Sequence, residues 1–352
     1  VKTFSLLVRK TLSNKPVVFA LVACMALAVA VAEYARQIPL VRDATEVSHA
    51  PAFKAADGRS LTLLVFGDWG SGNADQMAVA ALLERLCVER SADAVLSMGD
   101  NFYPEGVRSV DDPMWQTRWR DVYSTPCLKG VPFYLALGNH DYQGEGDPGA
   151  QIRYSRVEPG HWVMPARSFT VTFGNLLTVS NIDSNFPDKC GLPFLCSLDG
   201  LEQSLARSRS TWRIAMGHHP ALSGGKYVRL KPYARRTIPG FLCDNRFDAY
   251  FSGHEHAFFH IEGRNQDLPC DIRQVVVGNG GASLYAPRAN AQPPPVFARA
   301  VHGAAVASFT AERAEVEFVA APSGEVVHRF AFTPGQVPGH SPGQPLRQVP
   351  TP

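Results

Sequence analysis

Ala94-Val95-Leu96-Ser97-Met98, followed at once by Gly99-Asp100-Asn101-Phe102-Tyr103, is the stretch on which the fold turns. A short, mostly apolar run closed by a glycine has the length and composition of a buried strand. The glycine-led turn then delivers a carboxylate immediately past the strand end. Four other places repeat this arrangement. Leu61–Phe66 precedes Gly67-Asp68-Trp69-Gly70, and Val131–Leu137 precedes Gly138-Asn139-His140-Asp141. Trp212–Met216 precedes Gly217-His218-His219-Pro220, and Phe247–Ser252 precedes Gly253-His254-Glu255-His256.

Helical spacing of apolar residues fills several intervals, from Ala74 to Glu89 and from Leu198 to Arg209. Strands alternating with helices predict an α/β domain with substantial parallel pairing. Functional loops of such sheets gather at the carboxyl ends of the strands, so the five turns should converge on one edge. The later chain changes character: Ile272–Val277, Ala304–Thr310, Glu315–Val319 and Val326–Phe332 read as strands with little helix between them. This predicts a second sheet packed on the first, a layered α/β sandwich.

The five turns carry Asp68, Asp100, Asn139, His140, His218, His219, His254 and His256. Oxygen and imidazole donors of this kind suit a pair of hard metal ions, with one carboxylate bridging them against their mutual repulsion. Taken singly each motif is ordinary: a Gly-Asp after a strand is usually a turn or a cap, and a His-His-Pro is usually a loop. Five in order, each at a strand end, are hard to ascribe to coincidence, and the sequence predicts a metal site.

GDWG at 67–70, GDNFY at 99–103, GNHD at 138–141, GHHP at 217–220 and GHEH at 253–256 resemble, in this order, the five motifs of the purple acid phosphatases, most closely the small tartrate-resistant type. Ala150–Ser155, Trp162 and the Val275–Gly281 segment extend the similarity, which runs from about Leu61 to Ala282. The resemblance implies a four-layer α/β/β/α sandwich of two mixed sheets flanked by helices. It also implies an acid phosphatase that cleaves phosphate monoesters with a metal-bound hydroxide. Asp68, Tyr103 and His256 would bind Fe(III), with Asp100 bridging. Asn139, His218 and His254 would bind a second, divalent ion: iron, zinc or manganese. His140 would be catalytic, holding the phosphate with Asn139 and His219 and protonating the leaving alkoxide.

Tyr103 lies three residues after Asp100, near enough for both to reach one metal, and a phenolate suits trivalent iron. The wider metallophosphoesterase class carries Asp-x-His at the first motif; here Gly70 stands where that His would be, and Tyr103 appears instead. His219 replaces the aromatic residue often found there, which puts the substrate pocket in doubt rather than the metals. A phosphodiesterase or nucleotide hydrolase on the same fold is the nearest alternative. A membrane-tethered iron redox protein and an ectodomain with a dead site are more distant ones.

The pocket rim is expected from 104–112, 142–151, 184–197 and 221–235. Lys226, Arg229, Lys231, Arg235 and Arg236 could meet an anionic substrate there, although such a run is more often a solvated face. The implied substrates are small phosphorylated compounds, with nucleotides, sugar phosphates and phosphoproteins all open.

Over 352 residues, 45% are hydrophobic and 19% charged, a globular balance. The net charge of +2 shows no basic field along the chain, so nucleic acid is not an expected partner. Lys2, Arg9, Lys10 and Lys15 precede an uncharged run from Pro16 to Ala32. That pattern predicts an export signal, cleaved or kept as a membrane anchor, and a periplasmic or extracellular protein. Residues 33–60 read as a linker, 61–332 as the catalytic domain, and 333–352 as a Pro/Gly-rich tail without a core. Setting Cys24 aside leaves Cys87, Cys127, Cys190, Cys196, Cys243 and Cys270, an even six whose spacing fits no zinc knuckle. At least one disulfide is expected, with Cys190–Cys196 the first choice.

Overall fold

The computed structural model describes Met25 and residues 45–48, 60–185, 198–226 and 234–336. The chain divides into two compact units, Val1–Asp43 and Ala44–Pro352, and the second holds the architecture described below. Among the described residues no helix is long and apolar enough to cross a membrane. The apolar run at 16–32, Met25 apart, lies outside them, as do Cys190, Cys196, Arg229, Lys231 and the last sixteen residues of the tail.

The strands, in chain order, are β1 (Thr45–Ser48), β2 (Leu61–Phe66), β3 (Ala94–Ser97), β4 (Phe133–Leu135) and β5 (Trp162–Val163). Then come β6 (Phe169–Phe173), β7 (Leu177–Ile182), β8 (Trp212–Gly217), β9 (Ala249–Ser252) and β10 (Phe258–Gly263). The last are β11 (Ile272–Val277), β12 (Phe297–Arg299), β13 (Gly303–Phe309), β14 (Ala314–Ala320) and β15 (Val326–Phe332). The longer helices are α1 (Ala74–Arg90), α2 (Pro148–Tyr154), α3 (Asp199–Arg207) and α4 (Ala234–Asp244).

Two mixed sheets result. One has the order β15-β14-β13-β2-β3-β4-β5, the other β1-β6-β7-β8-β9-β11-β10-β12. In the first, β2 to β5 are parallel and β13 to β15 antiparallel. In the second, β7, β8, β9 and β11 are parallel. This corrects the sequence-based layout in one respect. The late strands do not form a sheet of their own: β13 joins β2 and extends the first sheet, while β11 joins β9 in the second. The five ligand-bearing strands are therefore split, three in one sheet and two in the other. Apolar runs report burial but not the pairing partner, so the sequence left this undetermined. β1, within the segment read as linker, pairs in parallel with β6.

Side-chain alternation on the strands builds three cores and hence four layers. Leu61, Leu63 and Val65 of β2 face Phe251, Val275 and Val277 of the other sheet in the central core. Leu64 and Phe66 face outward, onto Val79, Leu82, Leu83 and Leu86 of α1 and onto Trp115 and Trp119. On the far side, Ala215, Tyr250 and Val276 pack against Leu201 and Leu205 of α3 and Ile238, Phe241 and Leu242 of α4. Each fully buried Leu, Val or Phe contributes about 1.5–3 kcal/mol, which is what holds sheet to sheet and helix to sheet. The α1 start is capped by the Asn73 side chain, which accepts from the Gln76 N–H at 2.9 Å. Disulfides join Cys87 of α1 to Cys127, and Cys243 of α4 to Cys270. The expectation of disulfide bonding is thus met; the Cys190–Cys196 pair lies outside the described residues.

Candidate metal centre and active site

Each ligand-bearing turn begins where a parallel strand ends. Asp68 follows β2, Asp100 follows β3, and Asn139 and His140 follow β4; His218 and His219 follow β8, and His254 and His256 follow β9. Three of these residues hold left-handed backbone: Asp68 at φ 58°, Asp100 at φ 50° and His254 at φ 68°. Such conformations cost roughly 1–3 kcal/mol each and persist where the surroundings over-determine them. The glycines permit close approach. A Cβ at Gly253 would lie 2.3 Å from Asp68 Oδ2, and one at Gly138 would lie 2.1 Å from Asp100 Oδ1.

The donors form two adjoining groups. Asp68, Asp100 and His256 each offer an atom within 4.8 Å of the others, and so do His218, His219 and His254. Tyr103 joins the first group: its hydroxyl lies 2.9 Å from Asp100 Oδ2, 3.3 Å from Asp68 Oδ1 and 3.3 Å from His256 Nε2. Asn139 joins the second, its Oδ1 3.1 Å from His218 Nε2. Asp100 touches both, with Oδ2 3.4 Å from His218 Nε2. The seven residues expected from sequence as ligands therefore come together, with Asp100 between the halves. His219, read from sequence as a substrate contact alone, also stands among the ligand-capable imidazoles.

The outer hydrogen bonds fix which nitrogens face inward. His218 Nδ1 donates to the Met98 carbonyl at 2.8 Å and His256 Nδ1 to the Ser283 carbonyl at 2.6 Å. Neutral rings so held aim the Nε2 lone pair at the centre, the arrangement found behind metal-ligating histidines. Nε2 of His218 then faces Asn139 Oδ1 and His254 Nδ1, 3.1 Å away. Nε2 of His256 faces Asp68 Oδ1 at 3.2 Å. Lone pairs crowded against lone pairs are resolved only by protons or cations, so the donor set fits positive ions.

The electrostatics agree. Burial opposes charge on Asp100, but His218 and His140 outweigh it and hold the carboxyl below its usual range. Burial likewise opposes charge on His218, and Asp100 with Asp68 lifts it above an ordinary imidazole. Burial and the neighbouring His219, His218 and His256 push His254 well down. Burial, then Asp100 and Asp68, push the Tyr103 phenol well above 10, so a phenolate there requires strong positive charge nearby.

His140 sits at the edge of the centre. Its N–H donates to Asp100 Oδ1 at 2.8 Å and its Nδ1 to the Pro104 carbonyl at 2.6 Å, leaving Nε2 to meet a substrate. Its ring lies 4.3 Å from that of Tyr103. His219 Nδ1 lies 2.8 Å from Ser184 Oγ, which also accepts the His219 N–H at 3.0 Å.

A buried polar network underlies the turns, and most of its members carry no role that could be read from sequence. Asp141 accepts from the N–H groups of Gly138 at 2.8 Å and Asn101 at 3.1 Å, and from Gln151 Nε2 at 2.8 Å. The Asn101 side chain accepts from Ser97 Oγ and donates to the Ala136 carbonyl and to Gln151 Oε1. Trp162 Nε1 donates to the Gln151 carbonyl. The β3 and β4 turns are thereby fastened to each other and to α2. The signal for Gln151 and Trp162 lay only in the resemblance. Glu255 and Tyr285 had no assigned part, and Ser184 was expected only as part of the pocket rim.

Two back-to-back sheets with carboxylate, amide, phenol and imidazole donors gathered at the ends of their central strands define the metallophosphoesterase class. Residues 61–258 match the calcineurin-like phosphoesterase family. Purple acid phosphatase 4 of Arabidopsis thaliana is 32% identical over 68% of this chain and 72% of its own length. Human tartrate-resistant acid phosphatase type 5 is 29% identical over 60% of this chain and 72% of its own. The chain belongs to the calcineurin-like phosphoesterases, among the purple acid phosphatases. The solved structure titled "GAP50 the anchor in the inner membrane complex of Plasmodium" superposes with a TM-score of 0.66. It covers 79% of this chain and 90% of that one at 24% identity, a likeness of fold.

Proposed function

We propose that this phosphatase hydrolyses phosphate monoesters at a dinuclear centre of Fe(III) and a divalent iron, zinc or manganese ion. The observation that carries the reading is the donor set itself: seven residues from two sheets whose metal-binding atoms converge, with Asp100 between the halves. Asp68, Tyr103 and His256 would hold the ferric ion and Asn139, His218 and His254 the divalent one, with Asp100, placed between the two groups, available to both. Such a pair, when bound, acidifies water and offsets phosphoryl charge.

The chain's own groups do the rest. Asn139, His140 and His219 orient the phosphoryl group. The Pro104 carbonyl holds His140 by Nδ1, so the proton given to the departing alkoxide comes from Nε2. The Met98 and Ser283 carbonyls keep His218 and His256 in the ligating tautomer. Substrates are small phosphorylated compounds. The disulfides fit an exported protein, and we extend this to a periplasmic or extracellular location with residues 1–32 as signal or anchor.

The test is the visible spectrum of the purified protein beside a Tyr103→Phe variant. A broad band that disappears in the variant is expected. A colourless protein that holds two metals and cleaves phosphate would refute Tyr103 as a ligand and favour the phosphodiesterase alternative.

A further inference from the structure

Glu255, between the two histidines of the fifth turn, is fully buried. Its Oε1 accepts from Ser223 Oγ at 2.5 Å and its Oε2 from the Lys226 N–H at 2.7 Å. The Gly225 N–H also donates to Ser223 Oγ at 3.2 Å. A Cβ at Gly225 would lie 2.1 Å from Glu255 Oε2, so the turn lies directly on the carboxylate. Residues 223–226 are thus latched to the segment that presents His254 and His256. Burying a carboxylate is costly unless hydrogen bonds compensate it, and two of those bonds come from this rim turn.

The latch sets where the Lys226 side chain stands. Its ammonium lies 4.9 Å from the centre of the Tyr285 ring. Tyr285 in turn stacks on His256, with ring centres 4.2 Å apart and planes at 13°. The Tyr285 N–H donates to the His256 carbonyl at 3.1 Å, so the stack is tied by backbone as well. An exposed cation is therefore carried on an aromatic ring that covers a metal-centre histidine, no more than two ring spacings from that imidazole.

From this juxtaposition we propose that Lys226, positioned by Glu255 and Tyr285, forms a second anion subsite beside the phosphate-binding centre. It selects phosphomonoesters whose leaving group carries a further carboxylate or phosphoryl group. The inference rests on the phosphatase reading for the primary phosphate position and adds a substrate class to it.

Two phosphonates that cannot be hydrolysed separate the two ideas. Propylphosphonate and 3-phosphonopropionate differ by a terminal carboxylate, and both can be titrated calorimetrically into the metal-loaded full chain. The wild type should bind 3-phosphonopropionate about fivefold tighter, in keeping with a solvent-exposed ion pair. Lys226→Gln should bring that preference below twofold, and Lys226→Arg should restore most of it. An equal preference in wild type and Lys226→Gln, or none in the wild type, overturns the subsite. Turnover of nitrophenyl phosphate judges the phosphatase reading separately, because the phosphonate comparison needs no hydrolysis.

Discussion

Replacing Gly138 with alanine should dismantle the centre from beneath. The added Cβ would lie 2.1 Å from Asp100 Oδ1 and 2.2 Å from the Asp100 nitrogen. An ordinary contact requires a shift of about 1 Å between the β3 and β4 turns. That shift also stretches the bond from the His140 N–H to Asp100 Oδ1, now 2.8 Å and worth about 1.5–3 kcal/mol as a bond to a charged group. With overpacking at about 1–3 kcal/mol, the variant should lose roughly 3 kcal/mol of stability, or about 5 °C in Tm. Misplacing catalytic groups by 1 Å costs on the order of 100-fold in rate. The assay is metal content, kcat on nitrophenyl phosphate and Tm, beside Gly130→Ala, whose Cβ meets nothing within 4 Å. The control should stay within about 0.5 kcal/mol of wild type. A Gly138→Ala protein with two metals per chain and activity within threefold of wild type would refute the proposed closeness of the turns to the reaction.

His140→Ala should slow esters of poorly acidic alcohols about 100-fold and nitrophenyl phosphate far less, since the latter's leaving group needs little protonation; equal losses on both would remove the proton-donor role. Removing the Cys87–Cys127 bridge, which spans 40 residues, should cost about 4 kcal/mol in urea unfolding at unchanged metal content. A change below about 1 kcal/mol would show that the bridge is incidental. His328 is pushed down to about 4 by burial and then by His260, below the ~6.5 of an unfolded histidine. The unfolded chain then takes up a proton that the folded chain refuses, so this group's contribution to stability falls as pH drops from about 6.5 to 4. The ring is partly exposed, so the loss should be about 1 kcal/mol. His328→Phe, which can keep the stacking on Phe297, should flatten that part of the stability–pH curve; an unchanged slope would assign it elsewhere.

The strand ends and the polar residues gathered at them were legible because short apolar runs closed by glycine combine two local signals, burial and turn chemistry. Leu61–Phe66 is a strand over the very residues its pattern suggested, and α1 runs one residue past the expected Glu89. Pairing was not legible. β13 lies against β2 although more than two hundred residues separate them, and nothing in Gly303–Phe309 names that partner. Single-residue turns told which atoms could bind metal but not what holds them. Asp141 and Asn101 are turn residues in sequence; only the fold shows them as buried hydrogen-bonding centres joining the β3 and β4 turns. His219 illustrates the same limit, since a histidine after a ligand carries no mark of whether it faces metal, substrate or core. Lys226 belonged to a basic run whose ordinary reading was a solvated face, and its place over Tyr285 depends on a contact 59 positions away.

The split of the ligand turns between the sheets has a mechanical consequence. Asp68, Asp100 and Asn139 hang from one sheet, and His218, His254 and His256 from the other, so cations shared among them would act as rivets across the seam. Sliding one sheet over the other would part His256 from Asp68 and Tyr103, and His218 from Asp100 and Asn139. The loaded protein should therefore resist shear along this seam and unfold as one body, while the stripped protein keeps apolar adhesion and a few hydrogen bonds across it, such as His218 Nδ1 to the Met98 carbonyl and the His254 N–H to Asp68 Oδ2. On that reading metal loading would be a final act of assembly, joining two separately patterned sheets into one mechanical unit.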